Sequence, residues 1–274
     1  MEDKKIAIKV STLDRLAEGF QESRGITDKL TIQQMIAFAK EPVGGGENKL
    51  NQFLTKTITE VTAKDLKGVT SIGQYAFEGC KKLIKITIPT AVTSFGTSAF
   101  NNCTKLENVY YTGNITQWCN IFHNNNQANP MNSGAYLYFR NSLGEYELVT
   151  DIVIPNITSI KKYTFHNCKS IVSATISNTV TSIESSAFGG CINLTNVKMG
   201  SNVKTIGDWA FYNTNITSIA IPSTTTKIDY SAFSGCANLT DIYIDKAEGS
   251  ISSSPWGANN AQIHWNTPFP SEEA

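Results

Sequence analysis

Charge of a single sign is missing from this chain. Lys+Arg and Asp+Glu each number 23 in 274 residues, so the formal net charge is zero. That removes the electrostatic argument for nucleic acid or an anionic membrane as partner. Long apolar runs are missing too. No stretch approaches the roughly 18 consecutive apolar residues of a membrane span, so no membrane insertion is expected. The N-terminal "MEDKKIAIKVSTLDRLAEGF" has neither an apolar core nor a small-residue cleavage site. It does not read as a secretory signal, which predicts a chain kept in a cytoplasm or exported by another route.

Catalytic motifs are equally scarce. The three histidines, His123, His166 and His264, lie far apart. There is no GxSxG elbow, no P-loop and no HExxH. Gly44-Gly45-Gly46 lacks the preceding strand and following Lys-Ser/Thr of a phosphate loop. Cys119 and His123 share one segment, but two ligands do not make a zinc site. No two cysteines have Cys-x-x-Cys spacing. The expectation is a non-enzymatic chain with no catalytic, metal-binding or cofactor-binding residues and no cofactor.

What the chain has is a repeat. "SSAFGGCINLTNVKM" at 185–199 is nearly said again at 231–244 and 98–111. Phe77 and Phe100 are 23 residues apart; Phe165, Phe188 and Phe211 are again 23 apart, and Phe233 follows after 22. The gap from Phe100 to Phe165 is close to three periods, so the register is expected to continue through a degenerate middle. Cys80, Cys103, Cys168, Cys191 and Cys236 each follow a phenylalanine by three residues, and Thr214 takes that place after Phe211. A fixed phase implies a fixed place in the packing, so these cysteines read as reduced, buried hydrophobes rather than disulfides. His166 stands where other repeats have Glu, Asn, Gly, Tyr or Ser, and is expected to be exposed.

Each unit continues with an L-x-x-I-x-I run, such as Leu83, Ile86 and Ile88. Pro89, Pro155 and Pro222 close three of these runs, as suits a strand's end. This run, recurring with a period in the low twenties, is the signature of a leucine-rich repeat solenoid. The alternating I-x-I reads as a short strand and Ala-Phe-x-x-Cys as a helical or 3₁₀ turn. Stacked units bury a continuous core that one unit cannot. The fold class is therefore a β-rich leucine-rich repeat solenoid over 49–274, preceded by a small α/β head at 1–48.

The "TSI…AF..C..L..I.IP" grammar resembles the BspA-like leucine-rich repeat family over roughly 57–265. "YTGNITQWCNIFHNNNQANP" at 111–130, within an irregular stretch at 111–150, is similar to a variant unit in such arrays, with Trp118 and Ile121 filling the core. "PWGANNAQIHWN" resembles a common ending, implying a C-terminal cap at 245–266 whose last strand runs from Gln262 to Trp265.

The head is different. Ser11 and Thr31 are plausible N-caps of two short amphipathic helices carrying Leu13, Leu16 and Phe20, and Ile32, Met35 and Ile36. Each is too short to persist alone, so each needs a partner. The glycine linker favours a docking or homo-oligomerisation module over a simple cap. "STLDRLAEGF" and "KLTIQQMIAFA" resemble leaders of phage- and prophage-encoded members. That implies a virion component whose head docks to tail or capsid proteins, while the solenoid binds a host-surface protein or glycan. The alternative is a bacterial surface or secreted adhesin.

The binding face is expected at the outward positions of the strands: Lys85, Thr87, Asn108, Tyr110, Ser173, Thr175, Asn196, Lys198, Ser218, Asp241 and Tyr243. The two tyrosines are preferred, because aromatics carry much interface energy. A second candidate is the irregular loop with Trp118, His123, Asn124, Asn125 and Asn126.

Overall fold

The structure is a computed structural model and describes residues 56–252 and 254–267. The head candidates Leu13, Leu16, Phe20, Ile32, Met35 and Ile36 lie outside the described residues.

Each repeat contributes two short strands and a tight turn. The first strands pair in parallel: Glu60–Val61 with Lys85–Ile88, then Asn108–Tyr111, then Tyr136–Arg140. Further along, Asp151–Val153, Ser173–Thr175 and Asn196–Lys198 pair in the same way. Ser218–Ile221, Asp241–Ile244 and Gln262–Trp265 complete the array. Register holds from repeat to repeat, as in Ile86↔Val109 and Ile219↔Ile242. Burial alternates along each strand, with Ile86, Val109, Ile219 and Ile242 buried and their neighbours outward. A second column holds the apolar residues five before each phenylalanine, including Ile72, Phe95, Ile160, Ile183, Ile206 and Ile228.

The Ala-Phe turn explains its own composition. The residue two after each phenylalanine has a left-handed φ, and it is always glycine or asparagine: Gly79, Asn102, Asn167, Gly190, Asn213 and Gly235. Those residue types tolerate that backbone best. The phenylalanines stack directly. Centroids are 5.2 Å apart for Phe77–Phe100, 5.3 Å for Phe165–Phe188, 5.5 Å for Phe188–Phe211 and 5.6 Å for Phe211–Phe233. The cysteines sit beside this column, and three of their thiols reach back one repeat. Cys103, Cys191 and Cys236 donate to the carbonyls of Phe77, Phe165 and Phe211 at 3.0, 3.0 and 2.9 Å. The phase therefore selects a small apolar residue with one weak donor. All six cysteines are buried and unbridged. Thr214 substitutes by donating to Phe211's own carbonyl at 3.0 Å.

The middle departs from the expected three periods. The N–H of Phe100 bonds the carbonyl of Gln127, as that of Phe77 bonds Ala99, so Ala128 holds the phenylalanine phase. The stretch between Phe100 and Phe165 thus contains two enlarged units, not three, one ending at Ala128 and the other at Phe165. The first is lengthened by the helix Ile115–Cys119, which opens on an Asn114–Gln117 capping box, and by the 3₁₀ turn Asn126–Ala128. The second is lengthened by a hairpin in which Tyr146–Leu148 runs antiparallel to Tyr136–Arg140. Alanine cannot fill a phenylalanine's volume. Trp118 lies in this region fully buried, 6.2 Å from Phe95 and 5.3 Å from Tyr111, and its indole N–H bonds the Thr164 carbonyl at 3.0 Å.

Candidate recognition face

The outward face of the first-strand sheets carries the candidates the sequence singled out. Lys85 is exposed and pairs with Glu60 at 3.0 Å. Thr87, Asn108, Ser173 and Ser218 are partly buried; Thr175, Asn196 and Lys198 are exposed. Ser173 donates to Asp151 at 2.5 Å, which, followed by a bond from Thr150, holds that carboxyl below its usual range.

The two tyrosines are not isolated. Tyr110 is in register with Thr87 and Tyr138. Its ring stacks on Tyr138 at 4.7 Å and meets Tyr146 edge-on at 5.0 Å. Tyr136, two residues before Tyr138 on the same strand, is exposed. Desolvation raises the phenol pKa values of Tyr138 and Tyr146. At the far end, Tyr243 is in register with Ala220 and His264. Its ring stacks on His264 at 4.6 Å, and His264 Nε2 hydrogen-bonds Asp241 Oδ1 at 2.7 Å. That contact, then one from Thr240, lowers the Asp241 pKa. The face is thus two aromatic clusters separated by small hydroxyl and amide side chains. Tyr136, Tyr138, Tyr146 and His264 were absent from the sequence-derived set. The pairing of Tyr136–Arg140 with Asn108–Tyr111 is what places Tyr138 beside Tyr110.

The irregular loop does not form the expected surface. Trp118 is wholly buried and His123 is 3% exposed. His123 stands five residues before Ala128, so it occupies the core column, in register with Phe95. Its ring lies 5.1 Å from Phe95 and 6.2 Å from Trp118, and neither ring nitrogen has a hydrogen-bond partner. Burial first, then the His166 and Lys161 charges, pushes its pKa down to about 3. Asn124 and Asn126 are exposed and Asn125 partly so. Asn124 bonds Thr97 at 2.8 Å, and Asn125 accepts the Ser98 N–H at 3.1 Å. Both asparagines therefore tie the loop to the preceding repeat. His166 also differs from expectation. It is partly buried, packs against Tyr163, and has its pKa lowered to about 4, chiefly by burial.

Among the described residues, no group of three or more His, Cys, Asp or Glu is placed to hold a metal ion. No described helix is long and apolar enough to cross a membrane.

Stacked parallel strands with an alternating inner core and an outward face of side chains define a leucine-rich repeat solenoid. The residue pattern of the BspA type leucine rich repeat region matches in six copies over 49–134 and 141–261, and the chain belongs to that family. Among solved structures, it is similar to a leucine-rich repeat protein from Bacteroides ovatus at 17% identity, over 77% of this chain and 61% of that one, with a TM-score of 0.44. It is similar to a leucine rich cell surface protein from Faecalibacterium prausnitzii at 19%, over 77% and 79%, with a TM-score of 0.37. It is also similar to the pneumococcal vaccine antigen PcpA at 13%, over 76% and 66%, with a TM-score of 0.41. No curated protein matches the chain.

Proposed function

We propose that this chain is a non-enzymatic recognition protein, displayed at a surface and binding its partner through the outward face of the parallel sheets. The observation that carries this reading is the pair of aromatic clusters, Tyr110 with Tyr138 and Tyr146, and Tyr243 with His264. Rings held in place by their neighbours lose little freedom on binding, and interface energy concentrates in such residues. Membership of the BspA type family supports display on a bacterial cell, in the adhesin role associated with that family. Display on a phage virion is the second platform. It rests on the resemblance of residues 1–48 to leaders of phage-encoded members.

The test is adhesion of the purified chain to epithelial cells, compared with Tyr110→Thr/Tyr243→Ala. Threonine and alanine already occupy the neighbouring register positions, Thr87 and Ala220, so the fold tolerates them. Loss of adhesion with an unchanged unfolding temperature supports the face; undiminished adhesion rejects it. Immunogold electron microscopy with an antibody to residues 57–265 separates the platforms. Gold on the cell envelope supports the adhesin, and gold at fixed points on induced virions supports the phage component.

A further inference from the structure

Three rings on the turn edge of the solenoid are exposed without a structural reason. Trp209 is 52% exposed, Tyr212 43% and Tyr230 74%. Trp209 stands two residues before Phe211. The equivalent residues are Tyr75, Ser98, Tyr163, Ser186 and Ser231, and all but Ser231 share its left-handed φ, 55° at Trp209. A bulky side chain is a poor choice for that backbone, and serine serves at three of the six positions. Tyr212 stands where the flanking repeats have Gly189 and Ser234. Neither ring is needed to build the turn, yet Trp209 and Tyr212 lie together, centroids 6.2 Å apart. Tyr230 comes from the adjoining turn, one repeat on, where the phenylalanine column steps by 5.6 Å. Water-facing aromatics that folding does not require point to a ligand.

The surrounding charge selects the kind of ligand. Asp208 precedes Trp209, and its carboxylate accepts the N–H of Ser231, next to Tyr230, at 3.3 Å. Asp229 precedes Tyr230 and binds Lys227 at 2.7 Å. Two carboxylates therefore edge the rings, and Lys227 offsets one of them, which leaves Asp208 as the unbalanced charge. Such an edge repels phosphate, sulfate and anionic lipid. It suits a ligand with an apolar C–H face to lie on a ring and hydroxyls to donate to carboxylates. We propose that Trp209, Tyr212 and Tyr230 form a platform for a neutral saccharide. The platform is built from different residues than the sheet face.

Intrinsic fluorescence reads this site. Trp118 and Trp256 are fully buried and Trp265 partly so, which leaves Trp209 as the exposed indole among the described residues. The full chain is titrated with chitotetraose, cellotetraose and maltotetraose at up to millimolar concentration. The expected result is a saturable blue shift with at least one of them. Trp209→Ser, the residue of three sister repeats, should weaken binding at least about tenfold by calorimetry. Tyr212→Ser should weaken it too, and Tyr110→Thr should leave it intact. Absence of saturable binding to all three sugars overturns the proposal, as does full binding by Trp209→Ser. Adhesion to cells that depends on Trp209 but survives enzymatic removal of surface glycans also overturns it and assigns the platform to a protein partner. Loss of adhesion in the Tyr110→Thr/Tyr243→Ala pair with saccharide binding absent from the wild-type chain keeps the sheet face and rejects this platform.

Discussion

Trp118 donates its indole N–H to the carbonyl of Thr164 at 3.0 Å, across 46 positions of sequence. The bond joins the two stretches of the solenoid on either side of the interrupted phenylalanine column. Trp118 packs near Phe95 on one side and bonds the turn that carries Phe165 on the other. Trp118→Ala should therefore destabilise the chain by about 3–5 kcal/mol, as for other buried aromatics. Trp118→Phe keeps much of the volume but leaves a buried carbonyl without its donor, at about 1–3 kcal/mol. Urea unfolding of the two variants measures both terms; equal stability of Trp118→Phe and wild type would show that the hydrogen bond contributes nothing.

Phe188 lies in the middle of an unbroken run of stacked rings from Phe165 to Phe233. Phe188→Ala opens a cavity between two rings and should cost about 3–5 kcal/mol. Calorimetry should show a clear fall in unfolding temperature. An unchanged temperature would reject the buried column.

Acid should destabilise the fold through two histidines. His123 and His166 are held neutral by burial, with pKa values near 3 and 4 in the folded chain against an ordinary value of 6.5. Below about pH 6.5 the unfolded chain binds protons that the folded one refuses, so stability falls as pH drops, by up to about 1.4 kcal/mol per pH unit for each histidine. The loss levels off once pH passes below the folded values. His123→Ile restores the residue type of the column, as at Ile72 and Ile160, and should flatten the slope between pH 6 and pH 4 relative to wild type. Chemical unfolding at a series of pH values decides this, and an unaltered slope would show that His123 is not the titrating group.

The thiols should be inert in the folded state. Burial pushes the pKa of Cys80 up to about 11 and those of Cys103 and Cys119 to about 12, and raises those of Cys168, Cys191 and Cys236 as well. The thiolate is the reactive species, so a disulfide reagent at neutral pH should modify none of the six quickly and all six after denaturation. Rapid native labelling of any one of them would place it on the surface.

Much of the fold was legible because a solenoid is nearly one-dimensional. A residue's phase in the repeat states its environment, so Phe165 or Cys191 could be assigned to the core without knowledge of distant contacts. The same rule identifies His123 once Ala128 is known to hold the phenylalanine phase. Sequence inspection missed it because Ala128 carries no aromatic side chain to mark that phase. The outer face was read only strand by strand. Tyr110 was found by its phase, whereas Tyr138 and Tyr146 needed the pairing of strands separated by an irregular insertion.

By itself, the sequence determined the period, the inward and outward alternation, the buried state of the repeat cysteines and the family. Each of these follows from a pattern that recurs at fixed spacing, where neighbouring repeats solve the same packing problem in the same way. The tertiary structure decided that the stretch between Phe100 and Phe165 makes two units, that Trp118 bridges an interrupted column, and that His123 is buried. These depend on how inserted segments fold back against their neighbours. A helix and a hairpin add residues without adding a repeat, so counting along the chain loses the register that hydrogen bonding between strands preserves.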